Sequence, residues 1–96
     1  MKGLELSKKI AGYLDAKKAK DIKIIKIDDL TVVTDYIVIA TGTSTTQVKA
    51  LADEVEEQLD DMGISVSHIE GYRSNSWILL DYIDVISPIK VFPVAA

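Results

Sequence analysis

A chain of 96 residues, 48% hydrophobic and 27% charged, holds one modest core, which leaves no room for a second domain and argues against a disordered composition. The absence of cysteine excludes a disulfide framework, a thiolate metal site, an iron–sulfur cluster and a cysteine nucleophile. The net charge of −4 divides into +5 over residues 1–26 and −9 over residues 27–96, so most of the chain would repel phosphate and suits a basic protein partner better than nucleic acid.

The opening twenty residues read as a helix. Leu6, Ile10, Tyr13 and Leu14 recur at helical spacing, with Lys17 continuing the row. Lys8, Lys9, Lys18 and Lys20 decorate the rest. They offer a basic face for phosphate, although lysines on a helix most simply serve solvation. Gly12 weakens the middle by up to about 1 kcal/mol relative to alanine, so the helix depends on docking. Charge interrupts this segment every few positions, unlike a secretory signal, and no apolar run in the chain approaches the roughly 18 residues of a membrane span. A cytoplasmic protein is expected.

Residues 21–28 predict a strand in which isoleucine and lysine roughly alternate, as on an edge or a half-solvated ribbon. After the connection DLTVVT, residues 35–42 predict a second strand. Its centre, Ile37-Val38-Ile39-Ala40, is apolar on both faces, which implies an interior strand covered on both sides. Gly42 closes it. Ser44 and Gln47 then match a capping box. The helix that follows is sharply two-sided, with Val48, Leu51, Ala52, Val55, Leu59 and Met62 opposite Asp53, Glu54, Glu56, Glu57, Asp60 and Asp61. Gly63 stands where a left-handed C-terminal cap belongs, and Ile64 supplies its hydrophobic contact. Residues 65–70 predict a third strand, parallel to the second through a right-handed crossover. GYRSN is a turn-rich link. Residues 76–82 predict a fourth strand, and Ile83 and Asp84 a turn. A fifth strand starts at Val85 and is expected to end early or lie at an edge because of Pro88. The residues from Phe92 onward read as a tail.

The junction IATGTSTTQ offers a helix N-terminus to an anion, but it lacks the P-loop and dinucleotide glycine patterns, and one glycine plus a cap is what any strand-to-helix junction needs. Asp28, Asp29, Asp35, Asp81 and Asp84 lie near strand ends, where carboxylates hold magnesium in some enzymes, yet their spacing is unspecific. His68 has no partner that sequence can orient as a catalytic base. These readings leave no catalytic residue, cofactor or metal assigned. The segment EGYRSNSWILLDY is denser in chemistry. It gathers Tyr72, Trp77 and Tyr82, half of the six aromatic residues, around Arg73, the sole arginine. Tyr, Trp and Arg are enriched at the energetic centres of protein interfaces. On the predicted strand, Trp77, Leu79 and Asp81 share one face and Ile78, Leu80 and Tyr82 the other. On chemistry alone, Trp77 serves equally as core or as interface.

The strings TDYIVIATGTSTTQVKALADEVEEQL and IEGYRSNSWILLDYIDV closely resemble the ribosomal silencing factor family, also called the Iojap-like family. The match runs from about Asp28 to Val85, with the first helix and strand fitting more loosely. The resemblance implies a single α/β domain, with a mixed sheet of mostly five strands and packed helices, like nucleotidyltransferases but without their catalytic machinery. It implies a translational repressor, not an enzyme, that binds the large ribosomal subunit through ribosomal protein L fourteen and blocks the small subunit from joining. Little direct contact with nucleic acid and none with a membrane is implied. The matching surface positions are Tyr72, Arg73, Trp77, Leu79, Leu80, Asp81, Tyr82 and Asp84, and the resemblance tips Trp77 toward the interface. The chain departs from the family after about residue 85, and its C-terminus reads as truncated or altered. Relatives usually have glycine where Ile83 stands, and Pro88 and Lys90 replace a histidine and a phenylalanine. If position 83 needs a positive φ, isoleucine should cost about 1–2 kcal/mol there. Two other readings stay open: a magnesium-dependent nucleotidyltransferase-like enzyme using Asp28, Asp29 or Asp81, and a homodimer paired through the late strands.

Overall fold

The computed structural model describes residues 3–28, 34–71 and 77–91, and at 90 and 91 the backbone alone. In chain order the elements are α1 (Gly3–Ala16), β1 (Lys20–Lys26), β2 (Tyr36–Gly42), α2 (Thr45–Asp61), β3 (His68–Glu70), β4 (Trp77–Asp81) and β5 (Val85–Val91). They form an α/β domain with a mixed five-stranded sheet in the order β1-β2-β5-β4-β3.

Both helices end as local chemistry dictates. The apolar row of α1 buries Leu6, Ile10 and Leu14, and the helix stops before Lys17, which is exposed beyond its end. Lys18 adopts φ 65° there. Its N–H donates to the Asp15 carbonyl at 2.9 Å, and the Ala19 N–H donates to the Leu14 carbonyl at 3.0 Å, which is the paired bonding of a left-handed helix cap. Gly63 does the same for α2 at φ 77°, with the Gly63 N–H on Asp60 and the Ile64 N–H on Leu59 at 2.9 and 2.8 Å. At the other end of α2, the Ser44 hydroxyl accepts the Gln47 N–H at 3.1 Å. The return bond of the predicted box is shifted by one residue, because Gln47 Oε1 accepts the N–H and the hydroxyl of Thr43. Gln47 Nε2 also reaches the carbonyls of Lys17 and Lys18, tying the start of α2 to the end of α1.

The core lies between the helices and one face of the sheet. Val38 and Ala40 of β2, Val85, Ser87 and Ile89 of β5, and Ile78 and Leu80 of β4 are buried against Leu6, Ile10, Leu14, Val48, Leu51, Val55 and Leu59. Alternation along β2, β4 and β5 sends every second side chain there. The lysine-bearing β1 is an edge and β2 is interior, as their composition predicts.

Two expectations are corrected. The crossover from β2 through α2 does reach a strand of the same direction, but β3 lies at the far edge, with β5 and β4 between. Likewise, β5 neither ends at Pro88 nor lies at an edge. It runs through the proline in the centre of the sheet, parallel to β2 and antiparallel to β4. The β2 register holds at Ile37↔Ile86 and again at Ala40↔Ile89, and skips the positions between. This alignment sets Val38 beside Ser87, and a regular parallel ladder would send the N–H of residue 88 to the Val38 carbonyl. Proline has no N–H. The buried Ser87 hydroxyl donates to Val38 O instead, at 3.1 Å. A side-chain donor one residue away thus satisfies the acceptor that would otherwise exclude proline from an interior strand.

The β4–β5 turn meets the condition under which isoleucine at position 83 is strained. Ile83 has φ 72°, and the Asp84 N–H donates to Tyr82 O at 2.9 Å, closing a γ-turn on a β-branched residue. Surrounding bonds hold it: Ile83 N–H donates to Asp81 Oδ1 at 2.8 Å and Thr34 Oγ1 donates to Ile83 O at 3.0 Å. The Asp84 carbonyl accepts the N–H groups of Asp35 and Tyr36, stapling the turn to β2. The Ile83 side chain is 52% exposed and has little packing to lose. Ile83→Gly should therefore stabilise the fold by about 1 kcal/mol, the relief of positive-φ strain less the extra freedom of glycine when unfolded. The urea midpoint should rise, and a lower one would show that the isoleucine side chain outweighs its backbone cost.

Candidate functional surface

The helices cover one face of the sheet. No described element covers the other, yet it is apolar. Register builds it in rows. One row runs Ile25, Ile37, Ile86, Asp81 and His68 from edge to edge. The next runs Lys23, Ile39, Pro88, Leu79 and Glu70, with Trp77 following Leu79 on the same face of β4. Ile37, Ile39, Ile86, Pro88 and Leu79 are half-buried, while Ile25 and Trp77 are exposed at 41% and 42%. Seven apolar side chains thus form a continuous patch, with Lys23 at one margin and His68, Glu70 and Asp81 at the other. Large uncovered patches of this kind mark interaction sites.

The sequence-predicted site residues divide across the sheet. Trp77, Leu79 and Asp81 lie together on the uncovered face. Asp84 is half-buried in the turn beyond it. Leu80 and Tyr82 are corrected: they point to the opposite face, with Leu80 wholly buried and Tyr82 only 6% exposed. Strand alternation forces this, because Trp77 and Leu80 have opposite parity. Neither side chain belongs to an exposed surface. Burial, with the carboxylates of Glu56 and Asp60 nearby, pushes the Tyr82 phenol well above its ordinary range, so it stays neutral. Tyr72 and Arg73 lie outside the described residues.

Asp81 is already engaged, since one carboxylate oxygen holds the Ile83 N–H. Across the strand pair from it, His68 Nε2 meets Glu70 Oε1 at 3.1 Å. The remaining described carboxylates are not grouped as metal ligands. Asp28 is exposed and 3.9 Å from Lys26, Asp35 and Asp84 share a groove with Lys26, and Asp29 lies outside the described residues. Among the described residues, no three His, Asp or Glu side chains are grouped to hold a metal ion, and no helix is long and apolar enough to cross a membrane. A second groove, lined by Asp53, Glu56, Glu57 and Asp60 of α2, faces Ile64, Ser65 and Val66. Partial burial, then Asp53 and Asp60, raises the Glu56 carboxyl above the usual range.

Sequence reasoning located the β4 part of the patch and missed Ile25, Ile37, Ile39, Ile86 and Pro88. The signal lies in the doubly apolar centre of β2, which by composition alone implies burial on both sides. In the fold, one of those sides has no cover among the described residues.

Comparison with known proteins adds to this geometry. The family described as "Ribosomal silencing factor during starvation" matches residues 2–92. Relatives named Ribosomal silencing factor RsfS include one from Bacillus subtilis, 38% identical over 76 residues, covering 79% of this chain and 64% of the relative. One from Chromobacterium violaceum is 38% identical over 82 residues, covering 85% of this chain and 67% of the relative. The chain thus spans slightly less than two thirds of the Bacillus subtilis protein. Among solved structures, a Chromobacterium violaceum protein superposes with a TM-score of 0.88 at 35% identity, covering 95% of this chain and 76% of that one. A Bacillus halodurans protein gives 0.77 at 28% identity, covering 94% and 81%.

Proposed function

The chain belongs to the ribosomal silencing factor family, and from that premise we propose that it represses translation by docking on the large ribosomal subunit through ribosomal protein L fourteen and keeping the small subunit away. The observation that supports this reading is the sheet face that no described element covers, where Ile25 and Trp77 are exposed and Ile37, Ile39, Ile86, Pro88 and Leu79 are half-buried, an apolar patch of the kind that marks interaction sites. Trp77 and Leu79 supply apolar contact area. Glu70 and Asp81 set orientation against a basic surface at the β3 margin, in keeping with the −9 carried by residues 27–96. The action is occupation of a surface, so no bond is made or broken and no cofactor is called for. Arg73 and Tyr72, four and five positions before Trp77 in sequence, belong to the same proposed contact.

The test is fractionation on a sucrose gradient with purified subunits. The chain should co-migrate with free large subunits, be absent from joined ribosomes, and lower the joined fraction when added before the small subunit. Migration only at the top of the gradient, or equal occupancy of joined ribosomes, would overturn the proposal.

A further inference from the structure

The indole of Trp77 stands on a seat, and Gly71 is that seat. Gly71 directly follows β3, and Trp77 opens β4, its antiparallel neighbour. Gly71 has φ 77°. A Cβ built on it would stand 2.6 Å from both Cε3 and Cζ3 of the Trp77 ring and 2.7 Å from the Trp77 carbonyl oxygen. Real Cβ atoms do not approach so closely, so the ring edge occupies the space where any L side chain at 71 would begin. An indole has two side-chain torsions, and at the start of a strand, 42% exposed, the backbone at Gly71 gives it a fixed surface against which to hold one rotamer.

We infer that Gly71 is a positioning residue for the docking surface: its missing side chain lets the Trp77 ring lie against the backbone on the sheet face opposite the helices in a preorganised pose. The inference rests on the docking role proposed above for Trp77. A ring held before contact loses less freedom on binding than one that must be captured from several rotamers. Residue 71 would then govern affinity without touching the partner.

Two variants separate the seat from the backbone conformation. Asparagine tolerates positive φ but places a Cβ where the ring lies. D-Alanine, introduced by synthesis of the chain, favours positive φ and carries its methyl on the other side of Cα. The sole tryptophan makes emission an unambiguous reporter. Gly71→Asn should shift that emission to the red and weaken large-subunit binding about tenfold or more, close to the loss from Trp77→Ala. Gly71→D-Ala should leave both unchanged, with far-UV circular dichroism verifying the fold in each case. Native emission from Gly71→Asn, or loss of the native signal in both variants, overturns the inference. If the unaltered chain fails to bind large subunits, the docking proposal fails by itself, and the emission contrast still decides whether Gly71 seats the ring.

Discussion

Replacing Trp77 with alanine should weaken binding to the large subunit about thirtyfold, the effect of losing an interface anchor worth roughly 2 kcal/mol. The reason is placement. The ring belongs to the sheet face that no described element covers, on the side of Leu79 and Pro88, and is absent from the core cluster. Truncation therefore removes contact area from the docking patch and opens no cavity beneath the helices. The melting temperature should fall by only a few degrees, corresponding to less than about 1 kcal/mol in a domain of this size. Leu80→Ala is the control on the same strand. Leu80 is wholly buried on the helix-covered face, so its truncation should cost about 2–5 kcal/mol of stability. Co-sedimentation and thermal melts of the two variants side by side should separate an affinity loss from a stability loss. Unaltered binding by Trp77→Ala would remove the anchor from the account, and a collapse in stability like that of Leu80→Ala would make Trp77 a core residue after all.

The second large effect concerns the proline in the middle of the sheet. Ser87→Ala deletes the hydroxyl that serves the Val38 carbonyl, leaving a buried acceptor unmatched. The expected loss is about 1–3 kcal/mol. The cause makes a sharper prediction than the magnitude. If Ser87 stands in for the N–H that Pro88 lacks, then Pro88→Val should restore a donor at the right place and recover much of the loss in the Ser87→Ala background. With Ser87 present, the same change should do far less, because the acceptor is already satisfied. Urea denaturation of the four proteins gives the coupling directly, expected at about 1–2 kcal/mol. Additive effects would show that the hydroxyl and the proline act independently.

Those two residues illustrate how far local pattern carries. From Pro88 alone, an edge strand was the sound expectation, because a missing donor is most easily tolerated where no neighbour needs it. Nothing in the sequence announced that Ser87 would donate across to a residue 49 positions earlier. By contrast, Ile83 was readable in advance. The family resemblance places an isoleucine where relatives usually have glycine, so that a positive φ, if the turn needed one, would strain it, and the fold has φ 72° there.

The order and kind of the elements were legible in the residues, and so were the limits of α2, but not the end of α1 at Ala16 or the run of β5 through Pro88. Helical spacing set the buried rows of α1 and α2, Ser44 and Gly63 marked the limits of α2, and alternation along β4 set Trp77, Leu79 and Asp81 against Ile78, Leu80 and Tyr82. These are short-range facts, encoded by periodicity and by backbone groups that need a nearby partner. It took the assembled fold to show which of the two β4 faces meets the core, which strands lie between β2 and β3, and that the second apolar face of β2 has no described layer over it. Strand order depends on pairing between distant segments, and alternation tells which side chains share a face but not whether anything lies against it.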